Sequence, residues 1–406
     1  MSTLSIAAYF PFSRLVISGQ SVAEEADVAV VDLRPDERFC PICHRCGAQA
    51  ARICSGQVRA VRDLPFASAR VYLRLAYRKV FCPQCRMRVV EDLELVGPWQ
   101  RVTHRLARCV HELCKVMTVA DVARHFGLGW KTVKAIDENF LHQQYGQTDY
   151  SALRILAVDE IALSKGHNYM TVVIDYETGR VVWMGQGRSK EGLLHFFEGM
   201  TDEQRAAIQA IAMDMHEPYV QAVREAAPHV KIVFDLFHVV AAYGKLIDRV
   251  RMSEYRKASA TDKKVFKGAK YLLLKRHLCY PAQREHLAAL LELNETLFFA
   301  YVLRDMLVRI WRYRYRAWAG RALGEWCALA RAVGHPELVR FARMLERHRE
   351  GMLNHCDYPI HNSKLEGINN KIKLIKRQAY GFRDERYFVL KVKQAFDPQT
   401  QSLFRR

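Results

Sequence analysis

The order of segments between residues 155 and 235 constrains the fold most. Ile155 to Ile161, Tyr169 to Tyr176 and Arg180 to Met184 are short runs rich in β-branched and aromatic residues, separated by turn residues such as Glu177-Thr178-Gly179. They predict three consecutive antiparallel strands. Ser189 to Met200 has the apolar spacing of an amphipathic helix. Ile208 to Asp214 predicts a fourth strand, a helix over 218–227 follows, and Lys231 to Asp235 predicts a fifth strand.

Three strands, helix, strand, helix, strand is the order of an α/β fold of the RNase H-like kind, and it explains where the acids fall. Asp159 closes the apolar run Arg154 to Val158 on what would be the central strand, and Asp214 ends the strand expected beside it. Carboxylates brought together without partners repel and shift toward neutrality, so a cluster of them usually holds a cation. A further acid, Glu366, lies in a segment where Leu365, Ile368, Ile372, Ile375 and Ala379 recur as one apolar helical stripe. Glu366, Asn370, Lys373 and Arg377 share the adjacent polar stripe, so this helix can bring an acid to the metals and Lys373 and Arg377 to DNA. Asp235, in Asp235-Leu236-Phe237-His238, is the rival to Asp214, and His238 could serve metal or DNA with it. Residues 240–358 read as a basic helical insertion into this core, and its aromatics, as in Trp311 to Trp318, read as core residues more readily than as base stackers.

The N-terminal third carries different chemistry. Cys40-Pro-Ile-Cys43-His-Arg-Cys46-Gly47 and Cys82-Pro-Gln-Cys85 supply thiolates at the spacing of a tetrahedral Zn²⁺ site. Cys43, Cys46, Cys82 and Cys85 are the preferred ligands, with Cys40 as a rival. The alternating stretches 58–64 and 71–75 predict strands, so the module reads as a zinc ribbon over about 40–90. Met117 to Ile136 shows helical spacing broken at Gly127. Such a break suits a helix-turn-helix that offers Trp130, Lys131, Thr132 and Lys134 to a major groove, although an ordinary helical hairpin has the same periodicity.

With a formal charge of +19 spread over 406 residues, half of them apolar, the chain is a globular protein whose field attracts phosphate backbones. No apolar run approaches the length of a membrane span, and no export signal opens the chain. The expectation is a cytoplasmic, reduced protein, which favours metal binding for the six cysteines between Cys40 and Cys85.

Taken together, these motifs resemble the DDE-class insertion-sequence transposases of the ISL-three type, over nearly the whole chain. The resemblance rests on the cysteine knuckles ahead of Val61-Arg62-Asp63-Leu64-Pro65, the helix-turn-helix, and Val158-Asp159-Glu160 followed by Lys165-Gly166-His167-Asn168-Tyr169. It rests further on Met213-Asp214-Met215, on Asp235 to Val240, and most specifically on Asn362-Ser363-Lys364-Leu365-Glu366-Gly367-Ile368-Asn369-Asn370-Lys371-Ile372-Lys373, continuing to Lys376-Arg377 and Tyr380-Gly381-Phe382. Cys40 departs from the pattern.

The resemblance implies three domains: residues 1–95 with the ribbon, a helix-turn-helix domain over 96–145, and an RNase H-like domain over 151–397 interrupted by the insertion. It implies binding of inverted terminal repeats, cleavage and strand transfer into target DNA, and Mg²⁺ or Mn²⁺ held by Asp159, Asp214 and Glu366. A homo-oligomer on DNA is expected, because two ends must be held together. The alternatives are a catalytically silent DNA-binding regulator of the same descent and a nuclease without end specificity.

Overall fold

The computed structural model describes residues 12–23, 27–97, 100–162, 169–274, 280–360 and 363–398. The motif residues Lys165, Gly166, His167, Asn168 and Asn362 lie outside them. The chain divides into two compact units, residues 1–146 and 147–406.

In the first unit, strands β1 (Leu15–Val22) and β2 (Val28–Pro35) form an antiparallel hairpin. β3 (Arg52–Arg62), β4 (Arg70–Cys82) and β5 (Met87–Val90) complete the sheet, in the order β1-β2-β4-β3 with β5 also on β4. β4 explains the core: Val71, Leu73, Leu75 and Tyr77 alternate with outward residues, and the inward set packs on Leu33 and Val61. The hairpin β1–β2 had no counterpart in the sequence reading. It joins through a parallel pairing of β2 with β4, a long-range contact that no local pattern announces.

Helices α1 (His104–Cys114), α2 (Val119–Phe126) and α3 (Trp130–Tyr145) follow. Thr103 and Thr118 cap the first two by accepting the N–H groups of Leu106 and Asp121. Gly127 then stops α2 with φ +62°, a left-handed conformation that an L side chain rarely adopts. Val110, Val122, Phe126 and Val133 form the small core between the helices.

The second unit is built on strands β6 (Ile155–Ala162), β7 (Tyr169–Asp175), β8 (Val181–Gln186), β9 (Ala210–Met213) and β10 (Lys231–Phe234). They lie in the order β10-β9-β6-β7-β8. β6, β7 and β8 pair antiparallel, whereas β9 and β10 run parallel to β6. α4 (Lys190–Glu198), α5 (Asp202–Ala206) and α6 (Glu217–Ala226) connect these strands, and α7 (Leu236–Lys257) leaves β10. A helical stretch follows: α8 (Lys263–Phe266), α9 (Ala269–Leu274), α10 (Pro281–Leu293), α11 (Glu295–Ile310), α12 (Arg316–Ala332), α13 (Pro336–Arg347) and α14 (Arg349–Leu353). A 3-10 turn at Asn354–Cys356 closes it, and α15 (Ser363–Gln378) and α16 (Glu385–Ala395) end the unit.

The two faces of this sheet bury different cores. Leu156, Val158 and Val173 pack with α4, α6 and the helical stretch, whereas Ala157, Val172 and Ala212 pack with Leu365, Ile368 and Ile372 of α15. α14 approaches β10 so closely that a Cβ on Gly351 would stand 2.4 Å from the Phe234 ring. β6 runs through Asp159 to Ala162, one residue beyond the run expected from the sequence, because Asp159, Glu160 and Ile161 pair with β7. One expectation is corrected: of the insertion's aromatics, Tyr313, Tyr315 and Trp318 are exposed rather than in the core. Among the described residues no single helix is long and apolar enough to cross a membrane.

Candidate functional site

Strand register sets the acids in a row. Ala157 of β6 lies opposite Ala212 of β9, so Asp159 comes level with Asp214 two residues further along each strand. Phe234 lies opposite Met213, and the Asp235 N–H donates to the Met213 carbonyl at 3.1 Å, which sets Asp235 beside Asp214. Adjacent strands stand about 4.8 Å apart, so three carboxylates on neighbouring strands feel one another's charge. Because side chains alternate along a strand, Asp159 and Asp214 share the face of Ala157 and Ala212, which α15 covers.

The surroundings of the acids are only partly satisfied. Asp159 Oδ1 accepts the Glu160 N–H at 2.7 Å, and Oδ2 accepts from Asn369 Nδ2 of α15 at 2.6 Å. Burial raises its pKa above the ordinary value and Asp214 adds to the rise, against the hydrogen bonds and the nearby His238. Asp235 caps α7 by accepting the Phe237 N–H at 2.9 Å, and burial raises its pKa as well, with Asp159 and Asp214 adding to the rise. His238 Nε2 stands 3.6 Å from Asp235 Oδ2, too long for a hydrogen bond. Asp214 accepts the His216 N–H at 3.2 Å.

Three buried polar atoms beside these acids lack a hydrogen-bond partner among the described residues: Asp235 Oδ2, Asn369 Oδ1 and His216 Nδ1. Desolvated carboxylates with orphaned polar atoms nearby are what a hard cation with its ligands would satisfy. Glu366 sits in the first turn of α15, exposed, three residues before Asn369 and therefore on a neighbouring part of the same helix face. Asp159, Asp214 and Glu366 do not close to the ligand spacing that the cysteines reach. Asn370, Lys373 and Arg377 are exposed with Glu366, and Lys364 fastens the start of α15 by donating to the carbonyls of Tyr176 and Glu177. Sequence reasoning missed Asn369 as a site residue. Its signal was its place one turn after Glu366, beside the apolar stripe.

The second constellation is tighter. The Sγ atoms of Cys43, Cys46, Cys82 and Cys85 all lie within 4.8 Å of one another, with Cys43 to Cys85 at 3.9 Å and Cys46 to Cys82 at 3.5 Å. The Cys85 N–H donates to Cys82 Sγ at 3.4 Å and holds that thiol down at about 7, which favours a thiolate ligand. The turn between β4 and β5 presents Cys82 and Cys85, and Gly47 lets the other knuckle turn at φ +73°. Cys40 is exposed and outside the cluster. These four soft donors at mutual contact fit a tetrahedral zinc ion.

In the three-helix segment, Trp130, Lys131 and Thr132 are exposed at the start of α3, while Lys134 is partly buried and pairs with Glu138 at 3.3 Å. α3 is held against α1 by a pair from which water is excluded, His111 Nδ1 to Asp137 Oδ1 at 2.7 Å, stacked on Phe140.

Comparison with known proteins agrees with this division. Residues 40–85 match the zinc-finger family of the IS204/IS1001/IS1096/IS1165 transposases, residues 91–141 the helix-turn-helix domain of transposase family ISL3, and residues 156–392 the ISL3 transposase domain of the DDE type. The chain is 41% identical over 359 residues to the transposase for insertion sequence element IS1001 of Bordetella parapertussis, covering 87% of this chain and 88% of that one. It is 26% identical over 390 residues to the transposase for IS1557 of Mycobacterium tuberculosis, covering 89% and 86%.

Proposed function

From the premise that the chain belongs to the ISL3 family of transposases, we propose how it works: it binds the inverted terminal repeats of its element, cuts there, and joins the ends to target DNA. We read the fold as RNase H-like, with residues 240–358 as its insertion, and the strand order β10-β9-β6-β7-β8 supports that reading. The domains run over 1–95, 96–145 and 151–397. The observation that carries the reading is the row of Asp159, Asp214 and Asp235 at the ends of neighbouring strands, with Asn369 of α15 bonded to Asp159.

Asp159, Asp214 and Glu366 would hold Mg²⁺ or Mn²⁺, with Asp235 as the rival to Asp214. Such ions supply activation of water or of a DNA 3′-hydroxyl and stabilisation of the leaving oxygen. The remaining work falls to the protein. Asn369 fixes the orientation of Asp159 by donating to Oδ2. Asp235 holds the start of α7, and with it His238, beside the acids. Glu366 reaches the acids from α15 when DNA occupies the face that it shares with Lys373 and Arg377. Trp130, Lys131, Thr132 and Lys134 read the terminal repeat in a major groove, and Zn²⁺ on Cys43, Cys46, Cys82 and Cys85 fixes the ribbon. Two ends must be paired, so the working form is a homo-oligomer on DNA, and its setting is the cytoplasm.

The test is strand cleavage of a labelled element-end duplex, with Mg²⁺ or with EDTA, by the wild type and by alanine variants of Asp159, Asp214, Asp235 and Glu366. Metal-dependent cuts lost with Asp159, Asp214 and Glu366 but kept with Asp235 are expected. Cuts lost with Asp235 and kept with Asp214 would move the second ligand to β10. Cutting that survives loss of Asp159 overturns the proposal.

A further inference from the structure

The insertion carries a surface that the acids do not use. From the end of α11 into the first turn of α12 the chain reads Trp311-Arg312-Tyr313-Arg314-Tyr315-Arg316-Ala317-Trp318. Trp311 packs against the main core and stacks on His355 at 5.8 Å. The other aromatics do the reverse: Tyr313 is 41% exposed, Tyr315 74% and Trp318 55%. Large rings normally contribute most when buried, so three left in water within six residues mark a surface kept for contact. Arg312 and Arg314 are exposed between them, and neither has a carboxylate partner among the described residues. Arg321 lies over the Trp318 ring at 5.4 Å.

The segment is anchored. Arg316 donates to Asn354 Oδ1 at 2.8 Å, and Asn354 Nδ2 donates to the Ile232 carbonyl of β10 at 2.8 Å, three residues before Asp235. Cys356 Sγ stands 3.4 Å from the Tyr313 carbonyl. The segment is therefore tied through Asn354 to β10.

Arginines alternating with Tyr and Trp occur at protein interfaces too, but here both cations lie on a chain of formal charge +19, whose field favours an anionic partner. They suit a polyanion with flat π faces. Bases in a duplex are stacked on one another, so only unpaired bases can lay their faces on these rings.

We propose that residues 312–318, with Arg321, form a platform for unpaired nucleotides of the DNA, where Arg312 and Arg314 take phosphates and Tyr313, Tyr315 and Trp318 stack bases. This rests on the reading that the second unit acts on DNA ends, where cutting and joining leave nucleotides unpaired.

Binding by the full chain without added Mg²⁺ tests it, using a single-stranded oligodeoxynucleotide that carries 2-aminopurine and the blunt duplex of the same sequence. Tyr315→Ala and Trp318→Ala should each weaken single-strand binding about tenfold and relieve the 2-aminopurine quenching, while duplex binding changes by less than about twofold. Tyr315→Phe should bind as the wild type, and unchanged melting temperatures would show that the variants fold. Arg312→Ala with Arg314→Ala should weaken binding of the single strand and flatten its salt dependence by about 1.4 in log–log slope. Wild-type single-strand affinity in both alanine ring variants, or equal losses on single strand and duplex, overturns the platform. Asp159→Ala protein should keep the binding, so a failed platform and a failed cleavage site give different results.

Discussion

Asn369 offers the sharpest test of the acid site, because one hydrogen bond separates two outcomes. Its Nδ2 donates to Asp159 Oδ2 at 2.6 Å, and its own Oδ1 is buried without a partner among the described residues. Asn369→Leu keeps the branching and number of heavy atoms and removes the donor. A hydrogen bond to an ionised acceptor contributes about 1.5–3 kcal/mol, and at 1.4 kcal/mol per tenfold that is about 10- to 150-fold in the affinity of the Asp159 site for a divalent ion. The same range is found when the partner that orients a metal ligand is removed. Losing the bond also removes an influence that lowers the Asp159 pKa, so both effects act in one direction. The assay is titration of the full chain with Mn²⁺, read by electron paramagnetic resonance, followed by the Mg²⁺ dependence of end cleavage. Asn370→Leu is the control, since Asn370 is exposed on the polar stripe and should bind Mn²⁺ as the wild type does. Mn²⁺ affinity within about twofold of wild type in correctly folded Asn369→Leu would refute the positioning role.

Further predictions address the other sites. His111→Leu removes the imidazole partner of the buried Asp137 and should cost about 3 kcal/mol in urea unfolding of the first unit; the double change with Asp137→Leu should recover much of it, and a full additive loss would contradict the pairing. Cys82→Ser should release the zinc of the ribbon, about one ion per chain by a colorimetric chelator, whereas Cys40→Ser should retain it. In metal-free protein, Asp159→Asn should raise the melting temperature near neutral pH. The folded pKa of Asp159 is raised above its ordinary 3.8, so the stability that it contributes is present below that value and lost as pH rises through the folded pKa. The gain from Asp159→Asn should therefore vanish at about pH 4, and a gain independent of pH would assign it to packing.

The elements that local pattern specifies were legible from residues alone. The alternation along β4, the runs that became β6 to β10, and the apolar stripe of α15 follow from side-chain period, which is a property of consecutive residues. The cysteine knuckles were legible for the same reason, because thiolates two residues apart already share a turn.

What escaped the sequence were the facts that depend on residues far apart. The hairpin β1–β2 joins the ribbon sheet by pairing with β4, and Cys40 is set apart from the cysteine cluster only by where β4 turns into β5. The exposure of Tyr313, Tyr315 and Trp318 was likewise open, since an aromatic run is compatible with core or surface until the packing of the insertion is known. The acids themselves show the division best. Their types and positions at strand ends could be read along the chain, but the level row of Asp159, Asp214 and Asp235 comes from the register of β6, β9 and β10, and the bond from Asn369 comes from docking α15 across the sheet. Period and spacing are local and survive in the sequence; register and docking are set by the whole buried core, and only tertiary structure decides them.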